Sequence, residues 1–395
     1  MSEHDQLPFA GLKVIDCASF IAAPAAATIL SDFGAQVIKI EPPEGDPFRE
    51  LYRSPGATPS DRNYFWELDG RNKRSLVLDL KQPEGLAVLH RLLRDADVFI
   101  TNLPLPVRRR LKVDHGSLES LNPRLIYASF TAYGERGPEA DKTGFDSTAY
   151  WARSGLMDLV KADHTAPPSR SVTGMGDHPS AMALYAAIAT ALFRRERTGR
   201  GGLVRSSLVA NGLWANGSLT QGALNGLVFP PRLPREQSPN PVANLYRCRD
   251  GRWLNLIILN ERQFLPLLQA LGCPELGEDP RFAEVPQRRI HHIELIELLD
   301  RQFAQRDLND WRDRLDQAGI TFGLVGTIAD IAGDEQMRAA GAIVPFADGS
   351  GLTVSSPFEL DGVTKVPPGK APELGEHSEA VLRDAGFSAD EIERL

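Results

Sequence analysis

GLKVIDCASFIAAPAAATILSDFGAQVIKI, residues 11–40, decides the fold class. Leu12–Cys17 is an apolar run of strand length, and Gln36–Ile40 is a second. Between them Ala22–Phe33 is rich in small residues and reads as a helix, ended by Gly34, a residue suited to the left-handed turn after a helix. Strand, helix and strand within thirty residues make a βαβ unit, whose crossover implies parallel strands. Moving outward, Ser75–Leu80, Asp97–Thr101 and Leu125–Phe130 read as further strands. Glu84–Asp95 has helical periodicity and follows Pro83, which fits a first helical turn. The pattern predicts an α/β fold: a large Rossmann-like domain with a mostly parallel sheet, binding ligands outside the carboxyl ends of its strands.

Further along, Ser180–Arg197 reads as a long helix whose basic last turn complements the helix dipole, stopped by TGRGG at 198–202. A short strand and a helix over Val209–Leu224 follow. Pro230, Pro231, Pro234, Pro239 and Pro241 then crowd one short stretch, the clearest linker in the chain. Leu245–Cys248 and Trp253–Leu259 form a hairpin pattern around Asp250–Gly251, with helical segments at Glu261–Leu271, Ile290–Ala304 and Leu308–Gln317. Shorter signals resume at Gly323–Thr327, and Ser378–Ala385 reads as a last helix. The expected division is a large α/β domain over 1–225, a linker over 226–242, a smaller α+β domain over 243–325, and a tail over 326–395 that returns to the large domain.

A net charge of −8 over 395 residues argues against a general nucleic-acid binder, which needs a basic face. The three cysteines, Cys17, Cys248 and Cys273, show no metal-ligand spacing and suit a reducing compartment. MSEHDQLPFAGL lacks the pattern of a secretory leader, and no stretch is apolar over a membrane span. A soluble cytoplasmic protein without membrane contact is expected.

Walker, dinucleotide-fingerprint, HExxH and GxSxG motifs are all missing. His291 and His292 are adjacent, so on a helix they face different directions, and no metal is expected. TGMGDHP, residues 173–179, is more informative. By local context alone Asp177 reads as a cap for free N–H groups at a helix start. Alternatively, Gly174 and Gly176 let a ligand approach the backbone, with Asp177 and nearby amides facing an open site. Basic residues cluster at Arg71, Lys73 and Arg74, and again at Arg108–Arg110, either as solvated faces or as phosphate contacts on one rim of the sheet. Asp16 lies inside an apolar strand and needs a partner or an exposed edge. Tyr150, Trp151 and Trp214 are either core aromatics or walls of a pocket.

The opening block resembles the start of class III CoA-transferases, the superfamily of formyl-CoA transferase and α-methylacyl-CoA racemase. So do RNKRSLVLDLKQPEG (71–85), DVFITN (97–102), LNPRLIYASFTAYGERGP (121–138), GFDSTAYWARSGLM (144–157), ALFRRERTGRGGLVRSSL (191–208) and NLYRCRDGRWLNLII (244–258). The resemblance implies a large α/β domain plus a smaller one, in an interlocked homodimer. It implies that Asp177, in the Gly176–Asp177 element, is the nucleophile of a reaction that moves CoA between an acyl-CoA and a free carboxylic acid. An aspartate of ordinary pKa is ionised at neutral pH and needs no partner base, consistent with the missing Ser–His and Cys–His signatures.

The racemase branch uses a histidine in a Gly-His-Asp element, which here reads Gly144–Phe145–Asp146. Phe145 cannot exchange a proton, so the resemblance points to transfer, with Asp146 as a candidate second acid or base. Racemisation, an intramolecular CoA shift, and a non-catalytic CoA-binding protein are the other readings. For coenzyme A, met as a substrate thioester, the resemblance implies contacts from Phe20, Arg71, Lys73, Asn102 and Arg110. The stretch Glu236–Asn244 has prolines where formyl-CoA transferase has a glycine run, which argues against a formyl or oxalyl group.

Overall fold

A computed structural model describes Leu7–Leu395; the six residues before Leu7, read above for a leader, lie outside the described residues. Six strands form one sheet: β1 (Lys13–Cys17), β2 (Gln36–Glu41), β3 (Lys73–Val77), β4 (Val98–Thr101), β5 (Ile126–Thr131) and β6 (Gly202–Ser207). Their order is β3-β2-β1-β4-β5-β6, and every neighbouring pair is parallel. This is the doubly wound arrangement, in which the chain reverses direction across the sheet between β1 and β4.

The helix Ala22–Asp32 is buried along its whole length. Its alanines let it pack closely against the long helix Asp177–Thr198, which contributes Ala181, Leu184 and Ile188 to the same core. The other face of the sheet buries Ile15, Leu76, Phe99 and Tyr127 with the helix Pro83–Arg94 and the C-terminal Val381 and Leu382. The tail is tied to β3 by the His377 amide, which donates to the Ser75 carbonyl at 3.1 Å.

β3 begins at Lys73, two residues before the predicted start, and so takes Lys73 and Arg74 of the basic run into the sheet, with Arg71 just ahead of it. The helix predicted over Val209–Leu224 is broken in two at Asn216, whose side-chain amide donates to the Ser154 carbonyl at 2.9 Å. The chain divides into two compact units. One holds the sheet and runs to Leu159, from Arg170 to Gly226 and from Glu335 to the end. The other comprises Val160–Ser169 and Leu227–Asp334. Its three-stranded antiparallel sheet, Ala243–Arg247, Trp253–Ile257 and Phe322–Leu324, packs Tyr246, Leu254 and Leu256 against helices carrying Leu267, Phe303 and Trp311. Val160–Ser169 joins this unit through His164, whose amide donates to the Arg232 carbonyl at 2.8 Å.

Candidate active site

At the carboxyl ends of β1 and β4 the chain turns away in opposite directions, leaving a crevice where no strand crosses. The two exits are stitched together. Asn102 accepts from the Ser19 amide at 2.9 Å and donates its side-chain amide to the Ser19 carbonyl at 2.7 Å. Phe20 then adopts a left-handed backbone, φ 64°, which is uncommon for an aromatic residue. Its amide is held by Asp46 Oδ1 at 3.1 Å, and Asp46 is itself buried against Lys39 at 2.9 Å. This turns the Phe20 ring edge-on to Phe145, with ring centres 5.3 Å apart. The two rings line a cleft of about 820 Å³ that also includes Asn102, Asp146, Arg170 and Asp177.

Asp177 is the first residue of the long helix, and Gly176 occupies the cap position without a side-chain bond. The capping reading therefore does not describe this aspartate. Its carboxylate makes no hydrogen bond or ion pair among the described residues, and it is half-buried. Burial and then the carboxylate of Asp146 push its pKa up to about 7, with an opposing pull from His178 and a further, lesser push from Asp69. The expectation of an ordinary, fully ionised aspartate at neutral pH is thus corrected, for a reason the sequence conceals: Asp69 and Asp146 are brought beside it by folding.

The glycines have a different task from the one expected. A Cβ on Gly176 would sit 2.6 Å from the Tyr150 ring, and one on Gly174 would sit 3.1 Å from the His178 ring. The room they leave is filled by protein side chains. Gly174 also has φ 81°, which favours glycine. The Gly176 amide donates to Asp146 Oδ2 at 3.3 Å, so it is already committed. The Asp177 amide has no acceptor among the described residues and lies at the open first turn of the helix.

Phe20, Asn102, Asp146 and Asp177 are therefore brought to one cleft. Arg71 and Lys73 are not. They lie at the amino end of β3, whereas Asn102 and Arg110 follow the carboxyl end of β4, so the two basic runs occupy opposite edges of a parallel sheet. Arg71 is buried in a two-pronged pair with Asp32, at 2.7 and 3.1 Å. Lys73 is buried on Asp16 at 2.9 Å, which supplies the partner that Asp16 needs. Arg110 is exposed on the short helix Leu105–Arg110.

Two residues were not singled out from the sequence: Arg170 in the cleft, and His178, next to Asp177 in the chain. Arg170 makes no ion pair among the described residues, whereas the neighbouring Lys142 is paired with Glu139 at 2.9 Å. His178 follows Asp177 and lies against Asp69. Its position after the aspartate was the only sequence signal, because Asp69 is over a hundred residues away. Tyr150 and Trp151 are core residues, while Trp214 is 87% exposed and is not among the residues lining this cleft. No group of three or more His, Cys, Asp or Glu among the described residues could hold a metal ion.

The chain matches the family model described as CoA-transferase family III over residues 9–378. It is 33% identical to (R)-2-hydroxy-4-methylpentanoate CoA-transferase of Clostridioides difficile, over 97% of this chain and 96% of that protein. It is 32% identical to cinnamoyl-CoA:phenyllactate CoA-transferase of Clostridium sporogenes, over 100% and 97%. Among solved structures, a CaiB/BaiF family protein from Brucella suis superposes with a TM-score of 0.84 at 29% identity, covering 96% of this chain and 99% of that one.

Proposed function

Because the chain belongs to CoA-transferase family III and is an enzyme of that class, we propose that it moves CoA between an acyl-CoA and a free carboxylic acid through a covalent intermediate on Asp177. The observation that carries this reading is the carboxylate of Asp177, without a hydrogen-bond or ion-pair partner among the described residues, at the start of a long helix and lining the switch-point cleft. A carboxylate Oδ adds to the thioester carbonyl, and the tetrahedral oxyanion forms against the open Asp177 amide. Collapse expels CoA thiolate and leaves an aspartyl acyl anhydride. The thiolate attacks the aspartyl carbonyl, releasing the first acid and forming an aspartyl-CoA thioester. The acceptor carboxylate attacks this thioester, CoA leaves again, and its thiolate takes the new acyl group, freeing Asp177. Each step exchanges one activated acyl bond for another, so no nucleotide is consumed.

Asp146 acts here by holding the Gly176 amide and by raising the basicity of its neighbour. Phe20 and Asn102 shape the CoA side of the cleft, Arg170 is a cation in the cleft able to meet phosphate or carboxylate, and Arg110 is an exposed one on the helix that follows β4. Phe20, Ile21, Phe130, Phe145, Val172 and Leu208 give the cleft an apolar wall. That wall supports acids with a branched-alkyl or aryl side chain, the kind named for the two relatives above. The mature enzyme is a cytoplasmic homodimer in this reading. Three free, buried cysteines support the compartment, and a strip of exposed apolar residues around Trp214 supports the dimer.

Mixing the enzyme with an acyl-CoA and a panel of such acids, followed by intact-mass and peptide spectrometry, tests the proposal. CoA exchange with a mass increase on the Asp177 peptide is expected. Full exchange by Asp177→Ala would sink the nucleophile assignment, and deuterium entering the α-carbon without CoA exchange would favour racemisation.

A further inference from the structure

His178 is the second residue of the long helix, and both of its ring nitrogens face acceptors. Nε2 lies 3.2 and 3.3 Å from the two carboxylate oxygens of Asp69, and Nδ1 lies 3.2 Å from the carbonyl oxygen of Gly174. A neutral imidazole has one N–H and could satisfy only one of these contacts; an imidazolium satisfies both. The acceptors are fixed. Asp69 is buried, 4% exposed, on the helix Tyr64–Gly70, and its backbone carbonyl accepts from Thr28 Oγ1 at 2.5 Å. Gly174 has no side chain, and a Cβ there would meet the His178 ring at 3.1 Å.

We infer that His178 is a positioning residue: as an imidazolium bridging Asp69 and the Gly174 carbonyl, it clamps the Gly174–Gly176 turn to the helix Tyr64–Gly70 and sets a positive charge beside Asp177. The clamp stands on the geometry alone. The role of its charge rests on Asp177 being the nucleophile, because an adjacent cation favours the ionised, attacking carboxylate.

The charged groups around the ring are consistent with this. Asp69 faces it from the helix Tyr64–Gly70 and Asp177 from its own helix. Behind them, Lys73 faces Asp69, and Asp146 faces Asp177. Burial alone would lower the imidazole pKa, but the Asp69 hydrogen bond and charge, with Asp177 and the Gly174 carbonyl, outweigh it and hold it above the ordinary histidine value.

Two measurements on the full-length enzyme test the inference. In protein labelled with carbon-13 at histidine Cε1, the His178 signal, assigned from its loss in His178→Gln, is expected to titrate above the ordinary histidine range. In Asp69→Asn it is expected to titrate lower. A His178 already neutral at pH 7 would overturn the clamp, and this arm needs only wild type and His178→Gln if Asp69→Asn does not fold. Glutamine keeps a donor toward Asp69 but carries no charge. Transfer by His178→Gln should therefore have its acid limb moved up by about half a pH unit, a loss of roughly threefold at pH 6.5 that is regained by pH 8.5. The KM for acyl-CoA should stay within about twofold. An unmoved limb, or a loss equal at every pH, overturns the role of the charge. Should wild type give no Asp177 adduct, the nucleophile reading fails separately, and the titration of His178 still decides the clamp.

Discussion

At the residue scale the determining property is that Asp177 holds a charge it is poorly supplied to keep. With its pKa near 7, the fraction ionised falls about tenfold per pH unit well below that value. The kcat/KM for transfer should therefore decline along an acid limb near pH 7, well above the limb near pH 4 of an ordinary aspartate, as initial rates across pH 5 to 9 would show. The same shift acts on folding, with a definite sign. The folded protein holds the Asp177 proton more tightly than the unfolded chain does. Stability conferred by this group therefore falls as pH rises from the ordinary carboxylate range to about 7, and the penalty is complete above it. Asp177→Asn removes the penalty. Its melting temperature should exceed that of wild type at pH 8, reflecting about 1 kcal/mol after allowance for solvent around a half-buried group, and should match it at pH 4. A cleft carboxylate whose loss stabilises the fold would mark the site as bought at the expense of stability.

At the element scale, the turn before the long helix is set by what its neighbours leave free. Gly176→Ala would drive a methyl group to 2.6 Å from the Tyr150 ring, in a core that cannot yield without shifting the turn. It should cost about 1–3 kcal/mol in denaturant melts, and lower kcat by about 100-fold through misplacement of the adjacent carboxylate. An alanine variant with wild-type kcat would refute that account. The strand–helix–strand opening could be read from residues 11–40 because period and helix-stop signals are local there. The Gly-Asp element was legible too, but only as a pattern. Of its neighbours only Asp146 was named with it, through the family resemblance; Asp69 and Tyr150 reach it through tertiary packing with no periodic trace. The break at Asn216 was equally hidden, because the bond that makes it goes to Ser154, far away in sequence. The basic run at Arg71–Lys73 misled for a related reason. Arg71 precedes β3 and Lys73 opens it, both at the amino end of the strand, and each is taken up by a buried carboxylate, Asp32 and Asp16, that is distant in sequence.

For the whole molecule, the division of cations between structure and ligand yields a paired prediction. Lys73→Met removes the closest partner of Asp16, which is fully buried, and leaves Lys39 at 3.9 Å. It should destabilise the fold by roughly 3–5 kcal/mol while the surviving folded enzyme keeps its KM for acyl-CoA. Arg170→Met, in an exposed cleft position without an ion pair among the described residues, should do the reverse: an unchanged melting temperature and a KM raised about tenfold for the acyl-CoA or the acid, whichever it meets. The surface carries a further consequence. Trp214 is 87% exposed, Leu224 78%, Leu227 62% and Val228 93%, four large apolar side chains within one short stretch of chain. Single exposed apolar residues are ordinary; a run of them along the chain is expected where another molecule covers them. In the dimer proposed here, that molecule is a second copy of the chain. Sedimentation at micromolar concentration should report twice the 43.3 kDa chain mass. Trp214→Glu combined with Leu224→Glu should shift it to one chain mass without altering far-UV circular dichroism, because neither side chain belongs to a core. A wild-type enzyme that sediments as a single chain would leave that strip without its proposed partner and remove the dimer from the reading.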